Sequence, residues 1–372
     1  MKKAVRVLVV DDSALMRKLI PKILEQEVSI EVVGTAVDGL FALKKIEDLA
    51  PDVVTLDLEM PGLNGIDTLK EIMRRWRLPV IVVSSHSTAG ASITLKALAL
   101  GAFDFVAKPQ DVSARMPEIA NELIKKIQAA AQCAGVQTQF LPQETRGGPP
   151  SAKLRPVAPT HIIAIGASTG GPNALQYLFS QLPVEFSGSL LVVQHMPDGF
   201  TELFAKRLDK CCPIRVKEAQ SGDLLMAGRA LICPGNRHLK VKKLPLGNVA
   251  VLSEEAPVNG HRPSVDVLFQ SVAAEFGAQA MGVLMTGMGE DGATGLGELG
   301  AAGGFTVAQS RNTCVVFGMP RAAIERGYAR RVADLQDLPT LLLAQCAPER
   351  GHGDPSHGDA TGVKRATGAG SD

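Results

Sequence analysis

Three stretches of this chain place a reactive side chain where an apolar strand gives way to a helix. "HIIAIGASTGGPNALQ" (161–176) puts Ser168 in a glycine-rich break. "SLLVVQ" (189–194) runs directly into His195 and then into the helical "DGFTELFAKRLD". "MGVLMTGMGEDGATGLGEL" (281–299) carries Asp291, beside Glu290, in its turn. A serine is a poor nucleophile until an adjacent base takes its proton. An imidazole serves as that base, and a carboxylate fixes its tautomer and stabilises the imidazolium. The chemistry open to such a set is acyl transfer through an acyl-enzyme.

The serine loop read alone leaves two possibilities. "GASTG" (166–170) fits G-x-S-x-G between a strand and a helix, the context of a nucleophile elbow. A helix N-terminus behind a glycine-rich loop equally suits a phosphate cradle. The Gly-Lys-Ser/Thr of a Walker loop is absent, and the G-x-G-x-x-G spacing fails. Partners favour the elbow. Of the other histidines, His86 lies in the first half, His161 starts a strand, and His352 and His357 are near the C-terminus. His238 and His261 are loop candidates near the site, and His195 shares the sheet edge with Ser168 if their strands are parallel. Asp291 alone reads as readily as a helix N-cap. The order Ser…His…Asp differs from the Ser…Asp…His of α/β-hydrolases, so a different fold must carry the triad.

Positioning these groups takes an α/β architecture. The 372 residues suit two or three domains. A net charge of +1 gives no global field toward nucleic acid, and no apolar run is long enough to insert in a membrane. "MKKAVRVLVVDD" loses its apolar character too early for a signal peptide, and the six scattered cysteines contain no CxxC pair. The expectation is a cytoplasmic protein with reduced thiols. Strand candidates alternate with helical segments twice, over 1–131 and 159–348, which predicts two doubly wound parallel-sheet domains. Between them, 132–158 is rich in Pro, Gly and Gln and reads as a linker, and 349–372 has almost no large apolar residues and reads as a disordered tail.

In the first half, acids fall at strand ends. Asp11 and Asp12 follow "VRVLVV" (5–10), and Asp57 ends "DVVTLD" (52–57). Ligands of open parallel sheets gather beyond the carboxyl ends of the strands. Converging carboxylates there repel one another unless a hard cation joins them, and Mg²⁺ prefers such oxygens. Ser84 and Lys108 end two further strands, supplying a hydroxyl and an ammonium suited to an aspartyl phosphate. Taken singly, each acid also reads as a cap or turn residue, and Lys108 as a surface charge.

The pattern "DDS", "LDLEMPGLNG" around Asp57, Ser84 and Lys108–Pro109 resembles a two-component receiver domain. The resemblance implies that Asp57 is the phosphoacceptor, that Asp11 and Asp12 with Asp57 hold Mg²⁺, and that Lys108 contacts the phosphoryl group. Ser84 and Phe105 match its switch positions. "IGASTGG", "VVQHMP", "HRPSVDVLF" and "LMTGMGEDGA" resemble the catalytic domain of the chemotaxis protein-glutamate methylesterase/protein-glutamine glutaminase family (CheB), which carries a receiver in front. That implies Ser168 as nucleophile, His195 as base and acid, Asp291 as its orienter, and the Met288 and Thr169 N–H groups at the oxyanion. It also implies methylated chemoreceptors as substrate and a chemotaxis histidine kinase as phosphodonor. No His/Cys/Asp cluster in the catalytic half has metal-ligand spacing, so no cofactor is expected there. A helix-turn-helix output would want a basic stripe that is not evident here, and a nucleotide-binding output would rest on the glycine-rich loops alone.

Overall fold

The computed structural model describes residues 3–85, 87–108, 112–133 and 157–347, with side chains of 112–118 left aside. Residues 134–156 of the expected linker, the expected tail, His86 and Pro109 lie outside the described residues.

The first half contains strands β1 (Val5–Val10), β2 (Ile30–Ala36), β3 (Val53–Leu56), β4 (Val80–Ser84) and β5 (Asp104–Ala107). Helices α1 (Met16–Leu24), α2 (Gly39–Leu49), α3 (Gly65–Arg75), α4 (Thr88–Ala99) and α5 (Val112–Gln132) alternate with them. All strands are parallel in the order β2-β1-β3-β4-β5. β3 and β4 are buried along their whole length, which is why they read as unbroken apolar runs in the sequence. Strand β2 was not anticipated; as an edge strand it exposes Glu31 and keeps only its two ends buried.

The second half opens with β6 (Ile162–Ala167), α6 (Gly171–Ser180), β7 (Ser189–Gln194), α7 (Phe200–Cys211), β8 (Arg215–Glu218) and β9 (Arg229–Ile232). A hairpin follows, β10 (His238–Lys242) and β11 (Val249–Ser253), then α8 (Val265–Phe276) and β12 (Ala280–Leu284). The remainder is α9 (Ala293–Ala301), β13 (Phe305–Gln309), α10 (Met319–Glu325), β14 (Arg331–Ala333) and α11 (Leu338–Cys346). Seven strands form one parallel sheet in the order β14-β13-β12-β6-β7-β9-β8. β10 and β11 stand apart as an antiparallel pair, a local exception to the expected parallel pattern.

The chain leaves β6 for β7 on one side and later returns to lay β12 on the other. The strand order therefore reverses at β6, the point where open α/β sheets place their ligands. The two halves pack directly. Helix α4 lies on α6 and α7, and one apolar cluster runs through Leu95, Leu98 and Phe105 into Phe200, Phe204 and Leu208.

Candidate active site

Ser168, His195 and Asp291 follow β6, β7 and β12, three adjacent strands, at one edge of the seven-stranded sheet. The glycines around the serine have separate physical reasons. A Cβ on Gly166 would come within 2.2 Å of Val265 Cγ1, so only glycine admits α8 this close to β6. Gly170 has φ +79°, a left-handed turn that starts α6 without strain only in glycine. The half-buried Ser168 is tied back by its N–H to the Thr286 carbonyl at 3.0 Å. Gln194 donates to the carbonyls of Ser168 (3.0 Å) and His195 (3.1 Å), clamping the two loop backbones together.

His195 Nε2 and Asp291 Oδ2 are 2.8 Å apart, and Asp291 is almost fully buried. Asp291 does not cap its own helix, whose N-cap is Gly292. It caps α8 instead, accepting the Val265 N–H at 2.7 Å and the Ser264 hydroxyl at 2.7 Å. Burial alone would raise the Asp291 carboxyl, but the His195 ring, the Val265 N–H and the Ser264 hydroxyl outweigh it and hold it well below the usual carboxylate range. An ionised carboxylate facing Nε2 fixes the proton there. The other nitrogen, Nδ1, is buried with no partner among the described residues.

The His261 ring stacks on His195, with centroids 4.0 Å apart and planes 10° apart. Burial, reinforced by the neighbouring His195, lowers His261 to about 4, so it faces the site as a neutral ring. His238, by contrast, is structural. It is buried in β10, its Nδ1 accepts the Ser264 N–H at 3.2 Å, and its Nε2–H donates to the Ala256 carbonyl at 3.1 Å. That holds the loop in front of α8, and so the cap on Asp291.

The backbone N–H groups of Thr169 and Met288 have no acceptor among the described residues. Both residues line a cavity of about 660 Å³ together with Ser168, His195 and His261. The receiver-like half supplies its other wall, including Asn121 and Lys125 from α5.

Contacts between the halves concentrate beside this cavity. Phe105 stacks on Phe200 at 4.9 Å, and the Thr169 hydroxyl donates to Asp104 at 2.5 Å. Asn173 Nδ2 reaches the Leu98 carbonyl at 2.9 Å. Burial alone would lower the Lys126 ammonium, but Asp104 and Glu122 hold it raised and charged. It lies over the Phe105 ring and donates to the Phe105 carbonyl.

In the first half, Lys108 Nζ lies 2.6 Å from Asp57 and 3.0 Å from Asp11. One carboxylate oxygen from each of Asp11, Asp12 and Asp57 falls within 4.8 Å of the others. Burial, with the neighbouring Asp57 carboxylate, raises the Asp11 carboxyl despite Lys108. All-oxygen donors in such a cluster fit Mg²⁺. Ser84 accepts the Thr94 hydroxyl at 2.6 Å at the end of β4.

The structure thus brings Ser168, His195, Thr169 and Met288 to one cavity, with Asp291 buried behind His195, and Asp11, Asp12, Asp57 and Lys108 to another place. Sequence reasoning passed over Gln194, Ser264 and the stack of His261. Ser264, Val265 and Asp266 form a visible helix-start pattern, but nothing local tells that its cap comes from residue 291.

The family model described as CheB methylesterase matches residues 163–342, and that of the response regulator receiver domain matches residues 7–120. The chain is 57% identical over 354 residues to protein-glutamate methylesterase/protein-glutamine glutaminase 2 of Koribacter versatilis, covering 93% of this chain and 97% of that protein. A protein-glutamate methylesterase/protein-glutamine glutaminase of Symbiobacterium thermophilum is 45% identical, over 91% of this chain and 96% of its own. The crystal structure of the Thermotoga maritima CheB methylesterase catalytic domain is 38% identical with a TM-score of 0.49, spanning 50% of this chain and 99% of that one. Matched nearly end to end by its relatives, the chain belongs to the CheB methylesterase family, with a response regulator receiver domain ahead of the methylesterase domain.

Proposed function

We propose that the protein is a phosphorylation-regulated protein-glutamate methylesterase and protein-glutamine deamidase acting on the cytoplasmic helices of methylated chemoreceptors. The observation that carries this reading is that His195, paired with the buried Asp291 at 2.8 Å, lines one cavity with Ser168, the three residues following three adjacent strands. The boundaries are a receiver over 1–131, a linker over 132–158, a catalytic domain over 159–348 and a tail over 349–372. The protein works in the cytoplasm; none of the described helices is long and apolar enough to cross a membrane.

In the reaction, His195 Nδ1 takes the Ser168 proton while Nε2–H stays on Asp291. Ser168 Oγ attacks the γ-carbonyl of a methyl-glutamyl side chain. The N–H groups of Thr169 and Met288 receive the oxyanion, the largest electrostatic contribution in this class of reaction. The tetrahedral intermediate collapses, and methoxide leaves with the proton held by His195 as methanol. Water then gives its proton to His195 and attacks the acyl-enzyme, releasing the glutamate carboxylate and regenerating Ser168. Glutamine follows the same path and releases ammonia.

In the receiver, Asp57 accepts a phosphoryl group from a chemotaxis histidine kinase. Asp11, Asp12 and Asp57 would hold Mg²⁺, which would supply positive charge beside the acceptor carboxylate. Lys108, already on Asp57, supplies the fixed counter-charge, and Ser84 the hydroxyl at the neighbouring strand end. Phosphorylation adds about −1.5 to −2 charges beside these groups. The result biases the contact that Phe105, on the strand leading into Lys108, makes with Phe200.

The test is methanol release from methylated receptor membranes by the intact protein and Ser168→Ala, each with and without a small phosphodonor. Release that requires Ser168 and rises with phosphodonor supports both halves of the reading. Equal release by Ser168→Ala would turn the serine loop into a cradle and end the triad assignment.

A further inference from the structure

Two N–H groups receive the oxyanion in the reading above, and each belongs to a peptide whose carbonyl is held from behind. In a trans peptide the C=O and the N–H point in opposite directions. The Ser168 carbonyl shares its peptide with the Thr169 N–H. It accepts from the Gly171 N–H at 2.8 Å and from Gln194 Nε2 at 3.0 Å. The Gly287 carbonyl shares its peptide with the Met288 N–H, and accepts from the N–H groups of Gly318 at 3.0 Å and Met319 at 2.9 Å. Each pair of donors draws a carbonyl inward and turns the opposite N–H the other way. Thr169 and Met288 both line the cavity beside Ser168.

The two anchors differ in kind. Around Gly287 both donors are backbone, at the start of α10. Around Ser168 one donor is a side chain. Gln194 is buried at the end of β7, and its Nε2 also donates to the His195 carbonyl at 3.1 Å. Two carbonyls can be met only by an amide NH₂; a carboxylate there would set oxygen against oxygen. Gly171 leaves room for this amide, since a Cβ on it would fall 2.0 Å from Gln194 Oε1. That oxygen is buried with no partner among the described residues. An unmet buried acceptor costs stability, so stability alone does not account for a glutamine here.

We infer that Gln194 is a positioning residue for the oxyanion site: its amide fixes the Ser168–Thr169 peptide in the orientation that offers the Thr169 N–H to the substrate oxygen. This rests on the methylesterase reading and adds to it a side chain that touches neither substrate nor reacting atoms. A hydrogen bond at the carbonyl also polarises the peptide and strengthens its N–H as a donor. Without the amide, the Ser168 carbonyl keeps only the Gly171 bond, and the peptide is free to turn its N–H off the oxyanion.

The experiment uses the full chain with a small phosphodonor and methylated receptor membranes, comparing Gln194→Glu, Gln194→Met and Ser168→Ala with the unaltered protein. Loss of one oxyanion donor costs about 10²–10³ in kcat. Gln194→Glu should approach that range and Gln194→Met should lose at least about tenfold, each with KM within about twofold. The neutral Gln194→Met serves if a buried carboxylate prevents Gln194→Glu from folding. A second readout separates positioning from folding. When a small alkylboronic acid binds, Ser168 Oγ bonds to boron, its proton passes to His195, and the tetrahedral boronate places an oxygen in the oxyanion site. The boronate Ki should rise in step with the fall in kcat. Gly171→Ala, which takes the amide's room while Gln194 stays, should reproduce both losses. Gln194 variants with a lower melting midpoint but unchanged kcat and boronate Ki would overturn the inference and, with Ser168→Ala inactive, leave the methylesterase reading standing. If Ser168→Ala kept its methanol release, the reading itself would fall, and the role of Gln194 with it.

Discussion

The imidazoles of His195 and His261 lie face to face, 4.0 Å between centroids and 10° from parallel. His261 therefore sets the plane of the His195 ring from one face while Asp291 sets its rotation from the edge. An aromatic pair of this kind is worth about 0.5–1.5 kcal/mol, so His261→Ala should lower kcat by about two- to tenfold. His261→Phe keeps a stacking face and should retain most activity. Steady-state kinetics on both variants separates the stack from any proton-transfer role of His261.

His261 also leaves a mark on stability. Its pKa is about 4 in the folded protein, lowered first by burial, against about 6.5 in an unfolded chain. Between these values the unfolded state binds the extra proton, so stability rises with pH through this window and is lost as pH falls through it. Thermal melts from pH 7 down to about pH 4 should show this slope, and His261→Phe should flatten it. An identical slope in both proteins would assign the acid sensitivity to other groups.

Asp291 has two roles that different substitutions separate. Asp291→Asn keeps a polar group at the start of α8 but removes the charge that fixes the His195 tautomer; it should cost on the order of 10⁴ in kcat. Asp291→Ala also strips the acceptor from the Ser264 hydroxyl and the Val265 N–H. Leaving such buried donors unmet costs about 1–3 kcal/mol, visible as a lower denaturation midpoint. An Asn variant with near-normal turnover would remove Asp291 from the triad.

Gly166 is a packing position as well as part of the serine motif. In Gly166→Ala the new methyl would meet Val265 Cγ1 at 2.2 Å and Leu284 Cδ1 at 3.1 Å. The helix must shift, at about 1–3 kcal/mol for overpacking, and with it the cap on Asp291. Denaturant unfolding together with kcat should show loss of both stability and turnover.

Phe105→Ala removes the ring that stacks on Phe200 at the border between the halves. Losing this contact weakens the packing between the halves without touching the triad, so receptor demethylation should rise without phosphodonor, by about two- to tenfold from the pair energy alone. Methanol release from the unphosphorylated variant checks it.

Chelation and Asp57→Asn act on the receiver alone. Removing divalent cations should abolish phosphodonor stimulation, since Asp11, Asp12 and Asp57 hold the metal-competent oxygens. Ser168-dependent hydrolysis of a small ester should persist under the same chelation. Asp57→Asn should reproduce the loss of stimulation with cations present.

Much of this was legible in the chain. β1, β7 and the span of α5 follow from short β-branched runs and from helical spacing, because local periodicity reports local structure. Where a strand is partly exposed and carries charge, the signal fades. Arg215–Glu218 and His238–Lys242 mix charged and apolar residues in four or five positions, and neither was anticipated as a strand.

The residues of the site were readable one by one, each at the end of its own strand. Their meeting was not. Ser168, His195 and Asp291 are neighbours because β12 pairs with β6 and β6 with β7, a long-range order that no local pattern encodes. The stack of His261 on His195, the trans cap of α8 by Asp291, and the receiver wall facing Ser168 all join residues far apart in sequence. Sequence by itself determined which groups stand at strand ends and what chemistry they can do, since backbone periodicity and side-chain type are local properties. Only the tertiary structure decided which of them touch and what can reach them, because contact depends on strand order, helix packing and the space left between two domains.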